Sequence, residues 1–115
     1  MKKMEKSDAL FVSHILEAID KIESYLGDVT YENFFKNNLL IDGVARELGI
    51  IGEAANHLST SFREGHPEIP YAPMIAMRNY LIHEYFGVDN ETVWKTCKES
   101  LPALRETLLP LGIQE

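Results

Sequence analysis

A chain of 115 residues, 45% hydrophobic and 25% charged, has the make-up of one folded domain over residues 1–115, which excludes wholesale disorder and a second independent domain. Its formal net charge of −7 excludes nucleic-acid binding through an overall basic field, so any contact with RNA or a nucleotide has to rest on particular cations. The single cysteine, Cys97, excludes an intramolecular disulfide and suits a reducing cytosol, where a buried packing thiol is expected.

The chain opens Met1-Lys2-Lys3 but meets Glu5, Asp8 and His14 before any long apolar run, which does not read as a signal peptide. No stretch approaches the ~20 apolar residues of a membrane helix, and a cytoplasmic protein is expected. Ser7 or Asp8 is placed to cap a first helix whose apolar positions Phe11, Ile15, Ile19, Ile22 and Leu26 step by four, four, three and four, stopping at Gly27. After a turn at Asp28 to Thr30, Tyr31 to Lys36 predicts a short helix carrying Phe34 and Phe35 inward, and Asn37-Asn38 ends it and caps the next.

From Leu39 to about Glu64 runs the longest periodic segment, with Ile41, Val44, Leu48, Ile51, Ala55, Leu58 and Phe62 recurring in steps of three and four. Gly43, Gly49 and Gly52 inside it each cost roughly 1 kcal/mol against alanine, so they ask for close approach of another helix, in a tight crossing or a dimer seam. Gly65, as a left-handed cap, and Pro67 are expected to end the segment. Pro70 and Pro73 introduce a further helix with Met74, Ile75, Met77, Leu81 and Ile82 as its apolar body. Gly87 breaks it, and Asp89 or Asn90 caps a last helix with Val93, Cys97, Leu101, Leu104 and Leu108 in register, which Pro102 kinks or splits. Trp94 is expected as a core anchor. No segment alternates with period two, so the fold class is all-α: an up-and-down bundle of four long helices and one short one.

The richest chemistry lies in Arg78-Asn79-Tyr80-Leu81-Ile82-His83-Glu84-Tyr85. A guanidinium is shaped for phosphate, and an imidazole exchanges protons near neutral pH; phosphodiester chemistry needs both. On a helix, Arg78 and Tyr85 are nearly eclipsed and Asn79 shares a face with His83, but Arg78 and His83 diverge by about 140°. One regular helix does not converge that pair on one atom. Either the helix ends or distorts near His83, or a second copy of the segment completes the site across a symmetric interface; the second reading is preferred. His14, His57 and His66 are scattered, and although Glu53 and His57 share a face, no paired Glu-x-x-His repeats exist, so neither a metal site nor a cofactor is expected.

Arg78, four residues, His83, one residue and Tyr85 together resemble the signature of the HepT-like branch of the HEPN superfamily, the toxin half of HepT/MNT toxin–antitoxin pairs. The flanks resemble it too: Ile51-Gly52-Glu53-Ala54, His66-Pro67-Glu68-Ile69-Pro70, and Phe86-Gly87-Val88-Asp89 with Val93-Trp94. The resemblance covers nearly the whole chain. It implies a helical homodimer in which Arg78 and His83 of both copies form a metal-independent endoribonuclease site, supported by Asn79. It also implies a nucleotidyltransferase antitoxin that silences the toxin by adding AMP to Tyr85. The alternative is a non-catalytic HEPN module that binds a nucleotide or docks a nucleotidyltransferase, with Arg78 holding phosphate and no bond cut.

Overall fold

The computed structural model describes residues 4–84 and 87–112. Its helices are α1 Lys6–Leu26, α2 Tyr31–Phe34, α3 Asn38–His57, α4 Thr60–Gly65, α5 Tyr71–His83, α6 Asn90–Lys95 and α7 Leu101–Gly112, the last two joined by a π-helical turn over Thr96–Ser100. No strand occurs among the described residues. The all-α reading therefore holds, with α1, α3, α5 and the α6–α7 rod as the long members.

The antiparallel pair α1 and α3 forms the centre, with α7 laid on α1 and α5 on α3. The apolar spacing selects the buried residues: Ile15, Ile19, Ile22 and Leu26 on α1, and Ile41, Val44, Leu48, Ile51 and Ala55 on α3. Phe11 is only half-buried, and Val12 and Ala18 complete that face of α1. α1 ends at Gly27, whose φ of 45° is the only positive φ among the described residues; the missing side chain removes the clash that a left-handed residue meets there. Thr30 caps α2 by accepting the Asn33 N–H, and Asn37 caps α3 by accepting the Leu40 N–H.

Three expectations are corrected. Neither Ser7 nor Asp8 caps α1; the helix starts at Lys6 with Glu5 in the cap position, and Asp8 is buried. Its carboxylate accepts the Ser59 N–H at 2.9 Å and the Ser59 hydroxyl at 2.7 Å. Ser59 in turn caps α4, which explains the second correction: the segment expected as one helix to Glu64 breaks at Leu58, whose backbone is extended (φ −66°, ψ 138°). Leu58 and Phe62 stay buried across the break, so the apolar register survives while the helix does not. Arg63 reaches back to the Ala55 and Asn56 carbonyls at the end of α3. Third, Gly65 is an ordinary helical residue and α4 ends through His66.

The disturbance expected at Pro102 takes the form of a π-helical turn over Thr96–Ser100, which separates α6 from α7. A proline cannot donate to the carbonyl four residues back and collides with it; the π-helical turn directly before it widens the helix and keeps Val93, Cys97, Leu101, Leu104 and Leu108 on the buried side. Trp94 anchors α6 against α2, its ring 5.1 Å from that of Phe34. No helix among the described residues is long and apolar enough to cross a membrane.

Candidate functional site

The helix that carries the motif, α5, is held at both ends. At its start the Tyr71 hydroxyl donates to the His66 carbonyl at 2.7 Å, and the Arg63 guanidinium lies over the Tyr71 ring. At its finish Glu84 leaves the helical region (φ −109°, ψ 39°), and the Tyr80 hydroxyl accepts the Asp89 N–H at 2.6 Å. Asp89 then caps α6 through the Glu91 N–H. Tyr80 and Asp89 thus tie the end of α5 to the start of α6.

Gly52 sets the crossing of α5 on α3. A Cβ built there would overlap the Arg78 Cβ and lie 2.7 Å from the Met74 carbonyl oxygen, so only glycine admits α5 at this spacing. Of the three glycines on α3 this one fulfils the close-approach expectation. Gly43 meets the Tyr25 ring at an ordinary 3.7 Å, and Gly49 faces open space.

Arg78 is therefore seated directly over α3. Its Nε forms an ion pair with Glu53 Oε1 at 2.8 Å, and its Nη1 donates to Asn79 Oδ1 at 3.0 Å. The other Glu53 oxygen lies 3.0 Å from His57 Nε2, and the His57 ring stacks on Phe11. Asn79, expected to orient His83 or to hydrogen-bond a phosphate, turns its amide oxygen to Arg78. His83 is exposed at the last turn of α5 and makes no hydrogen bond to another described residue. Both Arg78 and His83 lie in helical backbone, so their divergence of about 140° stands, even though the helix ends where one of the two readings required. Glu84 is exposed beyond the helix. Tyr85, the expected site of modification, lies outside the described residues.

Two surfaces flank these groups. A groove of about 970 Å³ between α3 and α5 is lined by Arg46, Gly49, Glu53, Arg78, Leu81 and Ile82 among others. On the other side Ala72, Ala76, Asn79 and His83 are all exposed and fall within about 60° of one another on the helix. They form a ridge of two small residues and two polar ones. The apolar body expected of α5 is covered only in part: Met74 is buried, Ile75, Met77 and Leu81 are half-buried, and Ile82 is 54% exposed.

Three groups among the described residues are displaced from their ordinary ionisation. Burial pushes the Cys97 thiol up to about 12 and the Tyr71 phenol up to about 12; the hydrogen bond to Glu91 raises the Tyr31 phenol. Sequence reasoning did not identify Glu53 as the partner of Arg78. Its spacing to His57 was visible, but the pairing with Arg78 depends on the crossing at Gly52, which no local pattern encodes.

Comparison with known proteins adds an independent line. The sequence matches the family described as ribonuclease HepT-like over residues 15–111. It is 41% identical over 102 residues to a protein of Thermococcus cleftensis described as a probable ribonuclease HepT, covering 89% of this chain and 93% of that one. It is also 41% identical over 108 residues to a Methanocaldococcus jannaschii protein described as "Gamma-glutamylcyclotransferase and putative RNase", covering 94% of this chain. The chain spans about half, 49%, of that second relative. No solved structure matches.

Proposed function

The chain belongs to the ribonuclease HepT-like family, and from that premise we propose that it is a metal-independent endoribonuclease whose working groups are Arg78 and His83. The observation that carries this reading is the disposition of α5. It presents His83 to solvent on a ridge of small residues and holds Arg78, still about a third exposed, at the adjacent groove. Two such ridges meeting about a two-fold axis bring each His83 toward the other copy's α5, which overcomes the divergence within one helix. The part-covered apolar side of α5 supports the same arrangement.

In the proposed reaction the ribose 2′-oxygen attacks the adjacent phosphorus while a neutral His83 imidazole takes the hydroxyl proton. The bond to the 5′-oxygen breaks, and a protonated imidazole, the other copy's, supplies the proton that leaves with it. The products are a 2′,3′-cyclic phosphate and a 5′-hydroxyl. Arg78 stabilises charge gathering on the phosphoryl oxygens, an effect whose loss typically costs ~10²-fold or more. Incubating purified protein with RNA in EDTA tests this: wild type cleaves, and Arg78→Ala and His83→Ala lose about two orders of magnitude. RNA left equally intact by all three refutes the nuclease.

The same reading makes the protein the toxin of a HepT/MNT-type pair, a homodimer silenced by a nucleotidyltransferase that adds AMP to Tyr85. A nucleotide on Tyr85 would add negative charge and bulk two residues from His83 in sequence. Partner enzyme and ATP should add the mass of AMP to wild type and not to Tyr85→Phe. Sedimentation at micromolar concentration should give twice the chain mass. One observation favours a second reading, a non-catalytic module that binds a nucleotide or docks a nucleotidyltransferase: Glu53 already neutralises the Arg78 charge. Nucleotide binding without RNA cleavage in EDTA would establish that reading.

A further inference from the structure

The pairing of Arg78 with Glu53 has the form of an inhibitory contact, a carboxylate placed on the cation that should meet phosphate. The geometry argues otherwise. Glu53 Oε1 pairs with Nε at 2.8 Å and Asn79 Oδ1 accepts from Nη1, while Nη2 makes no hydrogen bond to a described residue. A guanidinium gripped at two of its three nitrogens cannot swing on its long side chain, and its remaining donors point in a fixed direction. Glu53 is gripped as well. Its second oxygen is held by His57 Nε2 at 3.0 Å, and the His57 ring lies flat against Phe11, with centroids 5.1 Å apart and planes 17° from parallel.

The chain Phe11, His57, Glu53, Arg78 thus runs from α1 across α3 to α5. It sits at the surface, with Glu53 and His57 each about half exposed, and ion pairs so placed contribute little to stability. Its cost in neutralised charge therefore has to be offset by orientation.

We propose that Glu53, held by His57, is a positioning residue that fixes the Arg78 guanidinium so that Nη2 faces the scissile phosphate. The proposal rests on the endoribonuclease reading. It makes a prediction of opposite signs. Replacing Glu53 by glutamine removes a negative charge beside the substrate, so RNA binds more tightly, while Arg78 loses its fixed direction and cleavage slows. A residue with a merely structural role would weaken both, and a simple electrostatic brake would, when removed, strengthen both.

The test compares wild type, Glu53→Gln, Glu53→Asp and His57→Ala. Binding is read by anisotropy of a short 2′-O-methyl RNA, which cannot be cut, and cleavage is read by single turnover on the matching RNA. The expected result for Glu53→Gln is binding about two- to five-fold tighter with cleavage ~10- to 100-fold slower. Glu53→Asp, which keeps the carboxylate one methylene short, should fall between it and wild type. His57→Ala should show the same divergence to a smaller degree. Binding and cleavage that move together in Glu53→Gln overturn the proposal.

A second measurement does not depend on cleavage. In nitrogen-15 NMR spectra the Arg78 Nε–H should give a protected signal, identified by its absence in Arg78→Lys, that Glu53→Gln abolishes. If that signal is unchanged in Glu53→Gln, the positioning role is refuted. If wild type cuts no RNA yet the signal and the tighter binding behave as described, the nuclease reading falls and the tether to Arg78 stands.

Discussion

Replacing Gly52 by alanine tests the crossing on which the site is built. The added Cβ would overlap the Arg78 Cβ and come within 2.7 Å of the Met74 carbonyl oxygen; one of these atoms is backbone and the other is fixed to it, so no rotamer change relieves the clash. Ordinary carbon contacts lie at about 3.5–4.0 Å, so α5 must retreat by roughly 1 Å. That retreat loosens Met74 and Met77 against Leu48 and Ile51, which line a common apolar pocket. Overpacking of this kind costs about 1–3 kcal/mol, against a gain of about 1 kcal/mol from the better helix former. Gly49→Ala is the control, because nothing lies within 4 Å of its new methyl and only the gain of about 1 kcal/mol applies. The two variants, three residues apart on one helix, should therefore differ by roughly 1–3 kcal/mol in urea unfolding, with Gly49→Ala the more stable. Cleavage should fall in Gly52→Ala alone, since a displacement near 1 Å can cost ~10²-fold. Equal stability of the two would show that α5 does not approach α3 as described.

Asp8→Ala should destabilise the chain by about 1–3 kcal/mol, because the half-buried Ser59 N–H and hydroxyl lose their buried acceptor; a midpoint in urea unchanged from wild type refutes that role. Burial pushes Cys97 up to about 12, so the native thiol should resist dithionitrobenzoate at pH 8 and react fully in denaturant. The unfolded chain loses that proton near the ordinary thiol range, about 8.5, while the folded one keeps it, so stability should decline as pH rises from there toward 12. Cys97→Ala should flatten this slope, and an unchanged slope counts against the burial argument. Ile82→Lys should leave stability of the single chain within about 0.5 kcal/mol, since Ile82 is 54% exposed, but should shift sedimentation toward the monomer if α5 is the dimer face.

The long helices were legible because burial selects a period. The residues picked from spacing on α1, α3 and the α6–α7 rod are, Phe11 apart, the buried ones. What spacing could not show was the break at Leu58. Apolar register continues through Phe62, and the signal lies in Ser59, a capping residue inside an otherwise unbroken pattern. Even Ser59 needs Asp8, fifty-one positions away, to receive its N–H and hydroxyl. The same distance problem hid the partner of Arg78. Helical geometry placed Asn79 beside His83, yet its amide oxygen turns to Arg78, because a cation seated over Gly52 is the stronger attraction for it.

The motif helix differs from the others in how its apolar residues are spent. A helix that is apolar around much of its circumference is ordinarily buried on several sides. α5 packs mainly on α3 and buries only Met74 completely. Two independent features of the remaining surface agree. Ala72 and Ala76 leave room for another backbone, and beside them the half-buried Ile75 and the exposed Ile82 present hydrocarbon. The residues through which Arg78 and His83 diverge are the same ones that leave the helix unfinished, so one event, the arrival of a second copy on this face, would both complete the packing of α5 and bring the two halves of the chemistry together.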